Sequence, residues 1–352
     1  MRFGLMFFEA GENRHAGEVY QTVRAASQLA DEGGLSAVWT PERHFDHFGG
    51  AFPNPALTGA AVAVSTRHVQ VRAGSLISPL HNTVRIAEDW SVLDNLSSGR
   101  VAISFGSGWN INDFVLNPHN YDRRREIMLS QIEQIRRLWR GEEIKAANGA
   151  GRLASVKLYP SPVQSELPVW LTSSGNPKTF AAAGSIGANV LTHLIGQDLD
   201  ELSKKIDLYR RARSDHGYPP DGGVVSLMLH THMDYDAAVA VERSRDSFRN
   251  YLRSAVALER QAAAGGGTIS GGLQLPDEDI PADLIEELLD HTYKRYLTSG
   301  SLIGSPETCM QFADRVGKLG VDEVACLIDF GLPGQDVLAG LPALINFAAR
   351  FR

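Results

Sequence analysis

The chain has 352 residues, 43% of them hydrophobic and 21% charged, with a formal net charge of -7. That composition buries a sizeable core without staples, and an acidic balance with no aromatic-interleaved basic run excludes a nucleic-acid or anionic-membrane surface. Only Cys309 and Cys326 occur, neither in a CxxC pair nor beside a His/Cys cluster, which excludes a disulfide scaffold and a cysteine-held metal and points to a reducing cytoplasm. No run of about 18 apolar residues is present, and the start, MRFGLMFFEA, reads as a strand and not as a leader, so neither a targeting segment nor a membrane span is expected.

Apolar, β-rich runs alternate with helical patterns along the chain. RFGLMFF is a strand and EVYQTVRAASQLADEGG an amphipathic helix closed by glycines. AVWTPE and NPALTGAAVAVST form the second pair, VQVRAGSLISPL and TVRIAEDWSVLDNLSSG the third, and VAISFG opens the fourth, whose helix DRRREIMLSQIEQIRRLWRG comes only after a long loop. Residues 142–167 read as an irregular insertion. PVWLTSS with NPKTFAAAGSIG, NVLTHLI with DLDELSKKIDLYRRARSDHG, and VVSLMLHTHMD with a long helix to Ala264 make the fifth, sixth and seventh units, and EVACLIDF is the eighth strand. Eight strands in alternation with helices imply a parallel sheet closed into a (β/α)₈ TIM barrel, a single domain over 1–352. The segment 262–282, rich in glycine, is expected to be a flexible insertion between the seventh and eighth strands and a candidate lid.

In such a barrel the chemistry sits where strands end, so the strand ends define the site. TSSGNP after the fifth strand combines the hydroxyls of Thr172, Ser173 and Ser174, the tight turn of Gly175 and a proline-started helix. Those features suit a phosphate, and they suit an ordinary helix cap equally. GSGWN after the fourth strand lacks the third glycine and the immediate helix of a dinucleotide fingerprint. It reads either as a rim where a flat ring approaches the backbone beside Trp109, or as a tight turn with the indole in a satellite core. Arg43 and His44 in ERHF offer an anion contact and an acid–base group, or a structural hydrogen bonder. His230 and His232 alternate along one strand and so make a poor metal pair. His81, His193 and Asp113 read more simply as structural groups, and the residues carry no HExxH, GxSxG or Walker pattern and no metal site.

ERHF, AEDWSVLDNLSSGR, GSGWNINDF, TSSGNPKTF and the closing GSPETCMQFADRVGKLGVDEVACLIDF together resemble the luciferase-like flavin monooxygenases, the superfamily of bacterial luciferase and alkanesulfonate monooxygenase, over nearly the whole chain. The form of the GSGWN segment is most similar to a branch met in natural-product biosynthesis. The resemblance implies an FMN-binding barrel, with Gly74 and Ser75 at a cis peptide under the flavin ring, Gly106 and Ser107 beside the ring, and Tyr121 as a ribityl or phosphate contact. It also implies that Thr172, Ser173, Ser174 and Gly175 take the phosphate. Trp109, Asn110 and His193 would line the substrate pocket, and His44 with Arg43 would be catalytic. Arg43 stands where luciferase has a second histidine, which leaves His44 as the proton carrier, and Gly106 stands where luciferase has a cysteine, so light emission is not implied. With no NAD(P)H fingerprint, reduced FMN is expected from a separate flavin reductase, with O₂ as co-substrate. The substrate would be a small molecule or a group tethered to a carrier protein, and the protein a cytoplasmic homodimer. An F420-dependent oxidoreductase and a non-catalytic flavin-binding protein share the fold and stand as the alternatives.

Overall fold

The computed structural model describes residues 1–8, 16–264 and 282–352. In chain order the first half comprises β1 (Arg2–Met6), α1 (Ala16–Glu32), β2 (Ala37–Thr40), α2 (Pro55–Ser65), β3 (Gln70–Ile77), α3 (Thr83–Ser97), β4 (Val101–Gly106), α4 (Arg124–Trp139), β5 (Ile144–Ala147) and β6 (Leu153–Val156). The second half comprises β7 (Val169–Ser173), α5 (Pro177–Ser185), β8 (Asn189–His193), α6 (Leu199–Asp215), β9 (Val225–Met233), α7 (Ala237–Ala264), α8 (Ala282–Ser299), β10 (Ser301–Gly304), α9 (Pro306–Lys318), β11 (Glu323–Leu327) and α10 (Gly334–Ala349).

All pairings in the main sheet are parallel, and the order β1-β2-β3-β4-β7-β8-β9-β11 returns to β1, so eight strands close a barrel ringed by helices. The strands are nearly continuous apolar runs, as expected where both faces are covered. The helix starts follow local chemistry. Asn54, Asn82, Asn176 and Asp198 cap α2, α3, α5 and α6 through their side-chain oxygens, and Ser305 and Thr308 form a reciprocal capping box on α9.

Two features depart from the sequence reading. The stretch 142–167 holds an antiparallel hairpin, β5 with β6. Its strands IKAA and LASV hold only two β-branched residues between them, Ile144 and Val156, so little in their composition announces it. A ninth strand, β10, extends the sheet by pairing with the C-terminal half of β9, from His230 to Met233. Four residues following directly on α8 give too short a periodic signal to be read. Of the segment 262–282 expected to be a flexible lid, residues 265–281 lie outside the described residues, while Ala262–Ala264 and Ala282 belong to α7 and α8. Among the described residues no helix is long and apolar enough to cross a membrane.

A charged pair lies inside the barrel towards the N-terminal ends of the strands. Arg72 on β3 donates from Nη1 to Oε1 of Glu323 on β11 at 2.5 Å, and both side chains are essentially fully buried. The guanidinium lies between the rings of Trp39 and Trp170, 4.6 and 4.4 Å from their centroids. Ser36 and Ser226 donate to the same carboxylate, so its remaining lone pairs are occupied. Burial pushes the guanidinium down from its usual value, against the pull of Glu323.

Candidate active site

At the C-terminal ends of the strands, Glu42 is the buried centre of a three-residue cluster. Its Oε1 accepts from His44 Nε2 at 2.8 Å and from His81 Nε2 at 2.5 Å, while Oε2 accepts the backbone N–H of Ile77 at 2.6 Å. A carboxylate only accepts, so both imidazoles carry their proton on Nε2. Burial alone would raise the Glu42 carboxyl, but the bonds from His44, His81 and Ile77 together hold it below its usual value. His81 moves the other way: burial depresses it, and the Glu42 carboxylate outweighs that and raises it. The three ligand atoms lie within 4.8 Å of one another, a spacing that would also suit a cation, but here the imidazoles donate to the carboxylate instead.

Beside this cluster the guanidinium of Arg43 lies 4.6 Å from the Phe8 ring and 5.6 Å from Trp109. Asp113, four residues after Trp109, is buried and accepts from Asn110 Nδ2 at 2.8 Å. Burial pushes its carboxyl up to about 6, with Glu42 adding to the rise and Arg43, His44 and the Asn110 bond opposing it. Asn110 is spent within its own loop, since its Oδ1 also accepts the Asn112 N–H. Trp109 is half-buried against the core. Phe45 follows His44 with φ 57 and a side chain turned into solvent.

The peptide between Gly74 and Ser75 is cis. Ser75 Oγ lies 2.5 Å from Thr172 Oγ1, which in turn lies 2.7 Å from Ser104 Oγ. A Cβ on Gly106 would come nearest to Ser75, at 3.5 Å, an ordinary van der Waals contact, so Gly106 lies directly beside this hydroxyl trio. Gly108 is needed for a different reason: φ is +81, and a Cβ there would stand 2.8 Å from Phe114. Arg124 clamps the same loop, donating to the carbonyls of Gly108 and Tyr121 while lying 4.2 Å from the Tyr121 ring. Tyr121 packs edge-on against Phe114, at 5.0 Å.

At the end of β7, Ser173 is buried with its Oγ turned to the Asn176 carbonyl, Ser174 is exposed, and Gly175 turns at φ +91. A Cβ on Gly175 would lie 3.3 Å from both Gln197 Oε1 and Lys205 Nζ, so the turn is packed closely against an amide and an ammonium. His193 accepts the Ile195 N–H on Nδ1, and burial pushes it down to about 4. His230 packs among Phe248, Tyr251, Tyr296 and Phe330, with burial pushing it down to about 3, whereas His232 faces Gly340 on α10.

The structure thus brings Gly74, Ser75, Gly106 and Thr172 to one place and sets Arg43 and His44 beside Trp109 and Asp113. Ser107 follows Gly106 on the same strand end. Sequence reasoning passes over Glu42, because a carboxylate in ERHF has no visible partner. It reads His81 as structural, yet the two meet across 39 residues.

A family model for luciferase-like monooxygenases matches residues 1–323. The flavin-dependent trigonelline monooxygenase oxygenase component of Acinetobacter baylyi is 25% identical over 98% of this chain and 94% of its own length. Among solved structures, monooxygenase RslO1 from Streptomyces bottropensis superposes with a TM-score of 0.78 at 21% identity, covering 100% of this chain and 99% of that one. The oxygenating constituent of 3,6-diketocamphane monooxygenase from Pseudomonas putida, solved with FMN, gives 0.76 at 17% identity, covering 99% and 98%. The match over most of its length, on a closed barrel with its polar residues at the strand ends, means that the chain belongs to the luciferase-like monooxygenase family.

Proposed function

We propose that this protein is the oxygenase component of a two-component FMN monooxygenase, taking reduced FMN from a separate flavin reductase and using O₂ to hydroxylate a small-molecule or carrier-tethered substrate in natural-product biosynthesis. The observation that carries the reading is the convergence of Ser75, Thr172 and Gly106 at the mouth that also holds the Glu42–His44–His81 cluster. A polar floor for a flat ring and a proton-holding group stand at one rim.

The residues fit FMN. Gly175 makes the tight turn at φ +91 that leads into α5, whose first turn offers backbone N–H groups to an anion. Ser173, Ser174 and Gly175 would hold the phosphate together with Thr172, whose hydroxyl meets Ser75 where the phosphate and ring sides join; Gly74, Ser75, Gly106 and Ser107 would border the ring, and Tyr121 would lie along the chain between them. Bound in its reduced form, FMN supplies the electrons that activate O₂. The protein's part is to place and protect. His44 holds a proton on Nε2, fixed by Glu42 Oε1. Arg43, kept between Phe8 and Trp109, sets a positive charge beside it for an anionic group of the substrate. Trp109 and His193 would face the substrate, and aromatic packing of Phe8, Phe48 and Tyr251 keeps water from that side. We place the enzyme in the cytoplasm, where its two buried free cysteines stay reduced. We also propose a homodimer, supported by the exposed Leu57, Val64, Val92 and Leu96 on the neighbouring helices α2 and α3.

Fluorescence titration of the purified protein with FMN and, separately, with F420 tests the cofactor. Saturable FMN binding without F420 binding is the expected result, and the reverse preference would replace this reading with a deazaflavin oxidoreductase. Oxygen uptake with a flavin reductase present then separates an enzyme, which responds to substrate, from a flavin carrier, which does not.

A further inference from the structure

We propose that Glu42, His44 and His81 form a binding site for a divalent transition-metal ion of the zinc type, which takes the place of the protons that now bridge the two imidazoles to the carboxylate. Binding stands apart from the flavin reading above, and only its consequence for His44 rests on that reading.

Nε2 of His44, Nε2 of His81 and Oε1 of Glu42 lie within 4.8 Å of one another. Two imidazole nitrogens and one carboxylate oxygen are a donor set that zinc accepts when its fourth position stays open to water. Magnesium and calcium ask for about six or more ligands, oxygens by preference, and two of the three donors here are nitrogens. A four-coordinate ion with bonds of about 2.0–2.1 Å sets its ligand atoms roughly 3.3 Å apart. The imidazoles stand 2.8 and 2.5 Å from Oε1, so each backs off by about 0.5–0.9 Å to admit the ion. A ring with one proton moves it from Nε2 to Nδ1, a ring with two releases one to solvent, and in both cases the Nε2 lone pair goes to the metal.

The ligands are held from behind. Glu42 is fully buried and its Oε2 accepts the Ile77 N–H at 2.6 Å, so the carboxylate cannot turn away. His81 is fixed through its backbone, whose N–H donates to the Ser78 carbonyl and whose carbonyl accepts from Gln131 Nε2, both at 3.0 Å. Outer partners of this kind orient metal ligands. The side chain of His81 is 30% exposed against 8% for His44, so an ion with its water arrives from the His81 side. Asp113 is near enough for the charges of Glu42 and His44 to act on it, which sets a second carboxyl close to the ion, against the opposing charge of Arg43. A bound ion occupies the nitrogen on which His44 carries its proton, so zinc should inhibit the proposed reaction.

The test is titration of the metal-stripped, flavin-free, full-length protein with Co²⁺, whose visible absorption is strong in a four-coordinate site and weak in the hydrated ion. Native protein should develop the strong band with one ion per chain, and Zn²⁺ should abolish it by displacement. H81Q keeps a hydrogen-bond donor for Glu42 but loses the ligand nitrogen. It should bind Co²⁺ about a hundredfold more weakly or worse, since even an outer partner is worth about 10–100-fold in metal affinity. H44Q should behave alike and serves if H81Q does not fold. H68A, which removes an exposed histidine beside Asp31, should bind as the native protein does.

Absence of the strong band in native protein overturns the proposal, as does an affinity that H81Q and H44Q leave unchanged. Loss of binding in H68A would put the ion on the surface and overturn it equally. With reduced FMN bound, one equivalent of Zn²⁺ should bring peroxide release from native protein to the level of H44A, and an unchanged native rate would overturn the inhibition. Failure to bind FMN counts against the flavin reading alone, because the cobalt titration is read without flavin.

Discussion

Glu42 takes hydrogen bonds from two imidazoles on one oxygen and from a backbone amide on the other, so the rim's proton inventory is set by a residue that itself faces no open space. His44 is legible in ERHF, whereas its anchor is not, because pairing 42 with 81 needs the barrel to bring the ends of β2 and β3 together. Asp113 is the opposite case, a loop carboxylate in the sequence that the fold buries. Its carboxyl is pushed up to about 6 by burial and by Glu42. An acid whose folded pKa lies above its unfolded value near 3.9 favours the folded state at low pH and costs stability as pH rises through the interval. The folded protein binds the extra proton between about pH 4 and 6, so the cost above pH 6 is on the order of 2–3 kcal/mol. Asp113→Asn removes the titration. Measured by denaturant unfolding, the variant should gain on the native protein between pH 4.5 and pH 7.5 by that order, and a pH-independent difference would contradict the assignment.

At the scale of elements, the eight barrel strands and their helices are readable in order because each carries a period and a stop signal. The hairpin β5–β6 and the short β10 are not, since neither has the length or composition that makes a period visible. The strand-end motifs are legible as polar turns, but only assembly shows that Ser75 and Thr172 touch while Asn110 is spent on its own loop. Helices α2 and α3 carry the clearest surface signal. Leu57 and Val64 are more than two-thirds exposed, and Val92 and Leu96 lie on the adjoining helix. A specific dimer buries about 800 Å² per partner or more, which a patch on two long helices can supply. Light scattering on a sizing column should give about twice the chain mass of 38.3 kDa, and Val64→Lys with Leu57→Lys should give the single-chain mass. A native protein eluting at the single-chain mass would remove the proposed dimer.

Across the whole molecule, the two ends of the barrel divide the work. The C-terminal mouth holds the Glu42–His44–His81 cluster on which the proposed function draws, and towards the N-terminal end Arg72 and Glu323 join β3 to β11 through the barrel interior. No sequence pattern pairs residues 251 positions apart, so this tie is invisible before the fold. Removing one member of a buried pair leaves the other charge unsatisfied, at a cost of about 3–5 kcal/mol. Glu323→Gln should lower the denaturation midpoint accordingly with an unchanged slope, and an unfolding free energy within about 0.5 kcal/mol of native would mean that water reaches the pair. The mouth remains the centre of the proposed function, in which the protein binds reduced FMN and His44, fixed by Glu42, governs the fate of that flavin when O₂ arrives. The rate at which hydrogen peroxide appears when protein-bound reduced FMN meets O₂ tests that claim most directly. It should be slower than for free reduced FMN and should rise in His44→Ala, whereas release from the native protein at the free-flavin rate, under saturating protein, would contradict it.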